Sequence, residues 1–176
     1  MPSEIDPLNL EIVLWEPEIP QNTGNIARTC ACTGCKLHLA GPLGFRMRSP
    51  HVKRAGLDYW KFVEWKRWVS IDELWRAHPS VQFPIELDEW ASRARTRTAW
   101  FFSTQGELMP WDVPVHKGDF LVFGPETRGL SSEILESAGK QVVGFPQIPE
   151  TRSLNVSNVV AAAIYLIYSR WQAKYV

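Results

Sequence analysis

The stretch that most limits how this chain can fold runs from residue 120 to residue 130. Residues 120–123 are four consecutive large apolar residues, which predicts a strand buried on both faces. Gly124 and Pro125 end that strand, and the polar residues 126–128 follow before Gly129. A short helix is then predicted over residues 132–138. Parallel α/β proteins hold ligands in such loops, although many of these loops only connect two elements.

The rest of the chain alternates between apolar runs and helical patterns. Strands are predicted over residues 10–15, 36–40, 63–68, 98–104 and 141–145, and helices over residues 24–33, 71–77 and 156–172. We expect Asn22 or Thr23 to cap the first helix and Gly34 to end it. This order predicts an α/β fold with a mostly parallel sheet flanked by helices. The last helix is apolar nearly all round, so we expect its own sheet and a second subunit to cover it.

Composition limits the class of protein. The chain has 176 residues, 45% apolar, with a formal net charge of zero, which suits a single domain over residues 1–176. Residues 1–9 are predicted to be an extended tail. Residues 78–98 are predicted to be an insert, with a second RNA-contact patch as the alternative. No apolar run of about 18 residues predicts a membrane span. The acidic start lacks the pattern of a signal peptide, so we expect a cytoplasmic protein.

Basic and aromatic residues concentrate between Phe45 and Trp68. Seven Lys and Arg residues there face two acidic ones, and six aromatic residues lie among them. Cations and aromatic rings suit phosphates and stacked bases. A solvated surface helix with its apolar face on the core accounts for the same composition.

The cysteines and histidines do not predict a metal site. Cys30, Cys32 and Cys35 lie within six residues, without a fourth ligand at zinc-like spacing. We interpret them as buried or half-buried free thiols. The four histidines form no recognisable ligand pair, so we expect no metal.

Three polar loops, each after a predicted strand, contain the remaining candidates. The dinucleotide-binding glycine pattern, the P-loop, the zinc-protease helix and the nucleophile elbow are all absent from the sequence. The loops cover residues 16–25, 124–129 and 146–155. In the helix predicted to start at the end of the first loop, Asn25 and Arg28 lie three apart and share a face, where they can contact phosphate and ribose or simply face solvent.

These loops resemble the three motifs of the SPOUT-class 2'-O-ribose methyltransferases. The matching runs are EPEIPQNTGNIAR at residues 16–28, FGPETRGL at residues 123–130 and RSLNVSN at residues 152–158. The run AGLDYW at residues 55–60 resembles the small branch that methylates the wobble cytidine or uridine of tRNA. The resemblance covers roughly residues 10–171. Two departures are Cys32, where this branch often has asparagine, and the long stretch 78–98.

The resemblance implies a fold, a cofactor and an assembly. The fold is the α/β knot, in which the C-terminal segment threads a loop to form a deep trefoil knot. The cofactor is S-adenosylmethionine, and the assembly is a homodimer that acts on tRNA. By the same resemblance, the cofactor contacts are expected at Phe102, Gly124, Glu126, Gly129, Phe145, Ile148, Ser153 and Leu154.

The resemblance also implies residues for catalysis and RNA binding. Arg28 is expected to position the ribose 2'-hydroxyl, since a guanidinium is too weak an acid to serve readily as a general base. The expected catalytic set is Arg28, Asn25, Glu126, Arg152, Ser153 and Asn155. The expected RNA-binding residues are Arg46, Arg48, Lys53, Arg54 and Arg128. Alternatives are another tRNA position, ribosomal RNA, or a non-catalytic RNA-binding module with the same fold.

Overall fold

A computed structural model describes residues 5–47, 59–84 and 97–173. Its helices and strands follow in this order: β1 (Glu11–Trp15), α1 (Pro20–Thr33), β2 (Lys36–Ala40), β3 (Trp65–Trp68), α2 (Ile71–Ala77), β4 (Val81–Gln82), β5 (Arg97–Phe102), β6 (Phe120–Phe123), α3 (Ser132–Ala138), β7 (Val142–Val143) and α4 (Val156–Ala173). The predicted alternation of strands and helices is confirmed. Residues 85–96 of the predicted insert lie outside the described residues, and the extent of the single domain stays a prediction.

All the described strand pairs are parallel. The sheet order is β3-β2-β1-β6-β5-β4, and β7 pairs with the second half of β5. β1 and β6 are adjacent although they are far apart in sequence, with Glu11 opposite Phe120 and Leu14 opposite Phe123. Parallel strands place their carboxyl ends at one edge of the sheet, so the loops after β1, β5, β6 and β7 meet there.

The sheet separates two apolar layers, because successive residues of a strand point to opposite faces. On one face, helices α1 and α4 contribute Ile26, Ala27, Val160 and Ile164, which pack on alternate strand residues. On the other face, Leu74 of α2 and Ala138 of α3 belong to a second apolar cluster, together with strand residues such as Phe101 and Val122. The predicted burial of residues 120–123 on both faces is therefore confirmed, since all four are buried.

The predicted start of the first helix was wrong. Helix α1 begins at Pro20 rather than near Gly24, and neither Asn22 nor Thr23 caps it, since the residue before the helix is Ile19 in an extended conformation. Proline suits the first helical position because its fixed φ matches a helix and its missing N–H would have no partner there. The predicted end is confirmed, with Gly34 in the left-handed region at φ 67°.

Other predictions met mixed outcomes. Helix α2 was predicted over residues 71–77, which is confirmed, and the Ser70 hydroxyl caps it by accepting from the Glu73 amide at 3.2 Å. The last strand is shorter than predicted: β7 covers two residues, because a 3₁₀ turn, Gly139–Gln141, precedes it and a loop follows. Cys30 and Cys35 are buried free thiols as expected, whereas Cys32 is exposed on α1.

Helix α4 covers the sheet with one face, as predicted. Val160, Ala163, Ile164 and Ile167 are buried, whereas Tyr165 on the outer face is half exposed. The expected second subunit over that outer face stays a prediction. No helix among the described residues is long and apolar enough to cross a membrane.

Candidate functional site

A cavity of about 550 Å³ lies at the carboxyl edge of the sheet. Its walls come from the loops that follow β1, β5, β6 and β7 and from the start of α4. This volume falls in the range of small-molecule sites. The lining residues are Ile19, Asn22, Phe102–Gln105, Phe123–Leu130, Val143, Phe145, Gln147, Ser153–Val156 and Val159.

The Glu126 carboxylate joins the loop after β6 to the start of α1. It accepts hydrogen bonds from the amides of Glu18 at 2.7 Å and Ile19 at 3.2 Å. It also accepts one from the Asn22 side-chain amide at 3.1 Å. Because Pro20 has no N–H and α1 has no side-chain cap, this carboxylate from a distant loop satisfies the polar groups at the helix entry.

Asn22 extends this connection to the third loop. Its side-chain oxygen accepts from the Asn155 amide at 2.9 Å, and the Asn155 oxygen accepts from the hydroxyl and the backbone N–H of Ser157. The three sequence motifs are thus joined by one hydrogen-bonded chain through Glu126, Asn22 and Asn155. Sequence reasoning missed Asn22 and named Asn25 instead. The signal that could have found it was Pro20, which starts the helix early and turns Asn22 inward.

A second set of contacts joins the same two loops, but here the accepting carboxylate lies in the loop after β1 and the donors lie in the loop after β6. The Glu18 carboxylate accepts from the backbone N–H of Thr127 at 2.9 Å and from its hydroxyl at 2.7 Å. These hydrogen bonds, followed by the nearby Arg128 charge, hold the pKa of Glu18 below its ordinary value. Arg128 pairs with both Glu16 and Glu18. The predicted RNA-binding residue Arg128 is therefore already bonded to two carboxylates.

Most of the predicted cofactor residues line the cavity. Phe102, Gly124, Gly129, Phe145, Ser153 and Leu154 do so together with Glu126. Ile148 does not, and it is 76% exposed. Gly124 has a steric reason to be glycine, because a Cβ there would lie 2.6 Å from the backbone carbon of Gly129. The loop can fold this tightly over the cavity only without a side chain at that position.

The third loop is closed by a residue that sequence reasoning also missed. The Gln147 side-chain oxygen accepts from the Leu154 amide at 3.1 Å, which brings both ends of the loop to the cavity wall. Nothing in the local sequence distinguishes Gln147 from other polar loop residues. Apolar walls come from Phe102 and Phe123, whose rings stack with centroids 4.7 Å apart.

The remaining predicted catalytic residues lie outside this cavity. Asn25 and Arg28 lie on the exposed face of α1, and Arg152 is exposed in the loop before α4. The Arg28 guanidinium lies over the Tyr59 ring, 4.6 Å from its centroid. Of the predicted RNA-binding residues, Arg46 is exposed, whereas Arg48, Lys53 and Arg54 lie outside the described residues.

Polar residues also cluster at the opposite edge of the sheet. There the buried His38 contacts the Glu11 carboxylate at 2.7 Å and accepts from the Trp68 indole at 3.0 Å. Burial raises the pKa of Glu11, but the bonds and charges of His38 and Arg97 outweigh it and leave that pKa lowered. Both ring nitrogens of His38 are thus occupied, and no group of described residues is arranged to hold a metal ion.

Comparison with known proteins gives one consistent family. The SpoU rRNA Methylase family matches residues 9–167. A tRNA (cytidine(34)-2'-O)-methyltransferase of Saccharophagus degradans is 45% identical over 162 residues, which cover 92% of this chain and 93% of that protein. A solved structure described as "Structural insights into the 2-OH methylation of C/U34 on tRNA" aligns with TM-score 0.79 and 38% identity, over 93% of this chain and 97% of that one.

A more distant structure shares the fold alone. The SpoU methyltransferase AviRb of Streptomyces viridochromogenes, solved with the cofactor AdoMet, aligns with TM-score 0.74 at 20% identity. The alignment covers 97% of this chain and 63% of AviRb.

Proposed function

The chain belongs to the SpoU methylase family, and from that premise we propose that it methylates the ribose 2'-hydroxyl of the wobble nucleotide in tRNA. The methyl donor is S-adenosylmethionine and the target nucleoside is cytidine or uridine. The observation that carries the proposal is the cavity at which all three sequence motifs meet through Glu126, Asn22 and Asn155. A relative 45% identical over nearly the whole chain has this activity in its name.

The cavity suits the proposed cofactor in size and chemistry. Phe102, Phe145 and Leu154 provide apolar surface for an adenine ring, and the tight loop at Gly124 offers backbone polar groups. The Glu126 carboxylate is already bonded to three donors, so its role is to hold the cavity walls rather than to bind a cation. S-adenosylmethionine supplies an electrophilic methyl group on a sulfonium.

The chain's own residues would then orient the acceptor. Arg28 presents guanidinium N–H groups to the ribose hydroxyl and the adjacent phosphate, since such a fork binds oxyanions in two places. Ser153 and Asn155 of the third loop line the cavity and complete its polar wall. Once the 2'-hydroxyl has lost its proton to solvent, cavity walls that exclude water favour the transfer, because the alkoxide and the sulfonium neutralise each other as the O–CH₃ bond forms and the S–CH₃ bond breaks. We assign Asn25 and Arg152 to the RNA-facing surface, because both are exposed.

The proposed working form is a homodimer. Two observations support it: the outer face of α4 leaves Tyr165 half exposed, and Arg28 lies on the surface of α1 outside the cavity that it is proposed to serve. We propose that a second copy covers this face and brings its Arg28 to the cavity of the first. Mixing Arg28→Ala protein with Ser153→Ala protein, each with much less activity than the wild type, should restore part of the lost activity through mixed dimers. No recovery after subunit exchange would place both residues in one protomer.

We further propose that the chain threads itself as the family fold implies. Support comes from β7, whose backbone bonds on one side to β5 and on the other to Leu108, in the loop after β5. A Cβ on Gly106 in that loop would lie 2.2 Å from the backbone carbon of Val143, so the two segments touch directly. The proposed place of action is the cytoplasm, and the proposed partner there is tRNA.

Mass mapping of tRNA tests the function directly. Purified protein is incubated with unmodified tRNA and S-adenosylmethionine. The tRNA is then cut with a nuclease, and mass spectrometry of the fragments detects an added methyl group. We expect one methyl on the ribose of nucleotide 34, and none on tRNA that carries a 2'-deoxyribose at that nucleotide. A methyl elsewhere would select the alternative tRNA position. RNA binding without any methyl transfer would select the non-catalytic alternative.

A further inference from the structure

Within the described part of the chain, the guanidinium of Arg28 is held by an aromatic face and not by an acceptor oxygen. Its central carbon lies 4.6 Å from the centroid of the Tyr59 ring. Among the described residues none accepts a hydrogen bond from Arg28 or pairs with its charge. Arg97 and Arg128 differ, because each of them donates to at least one carboxylate. With respect to the described residues, Arg28 is thus oriented while its N–H groups stay available.

From this geometry we infer that Tyr59 is a positioning residue for Arg28, an inference that rests on the proposed function. A cation over a ring is attracted to the negative π face. Because the face of the ring supplies no acceptor oxygen, the guanidinium N–H groups can still bind ribose and phosphate oxygens. A carboxylate partner would orient Arg28 equally well but would occupy those donors and offset the charge that RNA must meet.

Tyr59 can orient Arg28 because its own backbone is anchored. The turn that begins at Tyr59 is closed by a hydrogen bond from the Phe62 amide to the Tyr59 carbonyl at 2.8 Å. Trp60 packs edge-on against Trp65 of β3 with ring centroids 5.2 Å apart, and Val63 is buried. The segment that carries Tyr59 is therefore anchored to the edge strand β3, whereas Arg28 projects from α1. Two separate elements define the position of the guanidinium.

Stacking is expected to affect turnover more than cofactor binding, because Tyr59 does not line the cavity. Removing a cation–π contact of ordinary strength should lower kcat for tRNA methylation about 2- to 30-fold. Tyr59→Leu removes the aromatic face, whereas Tyr59→Phe keeps it and removes only the hydroxyl. We expect Tyr59→Leu to show this loss with unchanged S-adenosylmethionine affinity, and Tyr59→Phe to stay within about twofold of the wild type.

A double-mutant comparison separates positioning from general damage. In an Arg28→Ala background, Tyr59→Leu should cause no further loss, because the residue on which it acts is gone. Three results would each overturn the inference: Tyr59→Leu turns over like the wild type, Tyr59→Phe loses as much as Tyr59→Leu, or Tyr59→Leu is equally harmful without Arg28.

A spectroscopic measurement keeps the inference testable apart from the activity. In the nuclear magnetic resonance spectrum, the Nε–H signal of Arg28 should be shifted by the ring in wild type and Tyr59→Phe. In Tyr59→Leu it should move to the position of an unstacked arginine. If the wild type does not methylate tRNA but the shift is present, the proposed function fails while the stacking stands. If the shift is absent in the wild type, the positioning inference fails whatever the activity.

Discussion

Replacing Glu126 by glutamine should loosen the connection between the first two motif loops. The carboxylate accepts from two backbone amides and from the Asn22 side chain, at 2.7–3.2 Å. Glutamine has nearly the same shape, but one acceptor oxygen becomes an NH₂ group that faces a donor. Whichever way the new amide is turned, at least one of these hydrogen bonds is lost and two donors are brought together.

The size of the effect follows from how exposed each bond is. The bonds from Glu18 and Asn22 are partly buried, whereas the bond from Ile19 is exposed, so that water can replace it. A hydrogen bond to a charged group contributes about 1.5–3 kcal/mol. We therefore expect the free energy of unfolding to fall by about 2–3 kcal/mol, or a Tm lower by about 5–10 °C for a chain of this size.

Urea unfolding followed by circular dichroism measures this difference, and Glu136→Gln on the exposed surface of α3 is the matched control. The control should stay within about 0.5 kcal/mol of the wild type. Because the loops can open without global unfolding, hydrogen exchange of the amides of residues 18 and 19 is measured as well, and it should be faster in Glu126→Gln. Unchanged stability together with unchanged exchange at those amides would refute the reasoning.

Three other outcomes are expected from the described structure. A thiol reagent should label Cys32 in the native protein and reach Cys30 and Cys35 only after unfolding. Burial raises the pKa of both thiols, that of Cys35 to about 11. Mass spectrometry of the labelled protein counts the thiols. Burial lowers the pKa of His78, so the unfolded chain binds a proton at a higher pH than the folded chain does. The free energy of unfolding should therefore fall as the pH drops from about 6.5 through the folded pKa. If the difference in this free energy between the wild type and His78→Gln does not change with pH, the prediction is contradicted. Arg67→Gln on the exposed edge strand should weaken tRNA binding and lower its salt slope by about 1, with calorimetric cofactor affinity unchanged; an unaltered slope would remove this edge from the RNA surface.

The sequence predicted the central strands β1, β2, β5 and β6 well, because they are apolar runs with a clear length and clear ends, whereas it missed β4 and overestimated β7. Residues 120–123 are buried on both faces, and helix α4 begins at the predicted residue, because both patterns are local. The start of α1 was wrong because the first-turn signal of Pro20 competed with the capping signal of Asn22 and Thr23.

The site was predicted less completely, since its contacts join distant parts of the chain. Glu126 was named from its motif, but its donors lie more than 100 positions earlier, and no local pattern indicates that Asn22 would reach both it and Asn155. Ile148 has the apolar character of a wall residue but is exposed. Local sequence indicates what a loop is made of, whereas the tertiary fold decides which of its side chains turn inward.

The central position of β1 has a consequence for how the protein is made. One edge of β1 pairs with β2, which follows soon after it, but the other edge pairs with β6. A ribosome adding about 5–20 residues per second needs roughly 5–20 s to make the intervening part, which is about 110 residues long. Throughout that interval the nascent chain carries an open, apolar strand edge in its first segment. An open strand edge can pair with another chain, so we expect aggregation during synthesis to lower the yield of this protein.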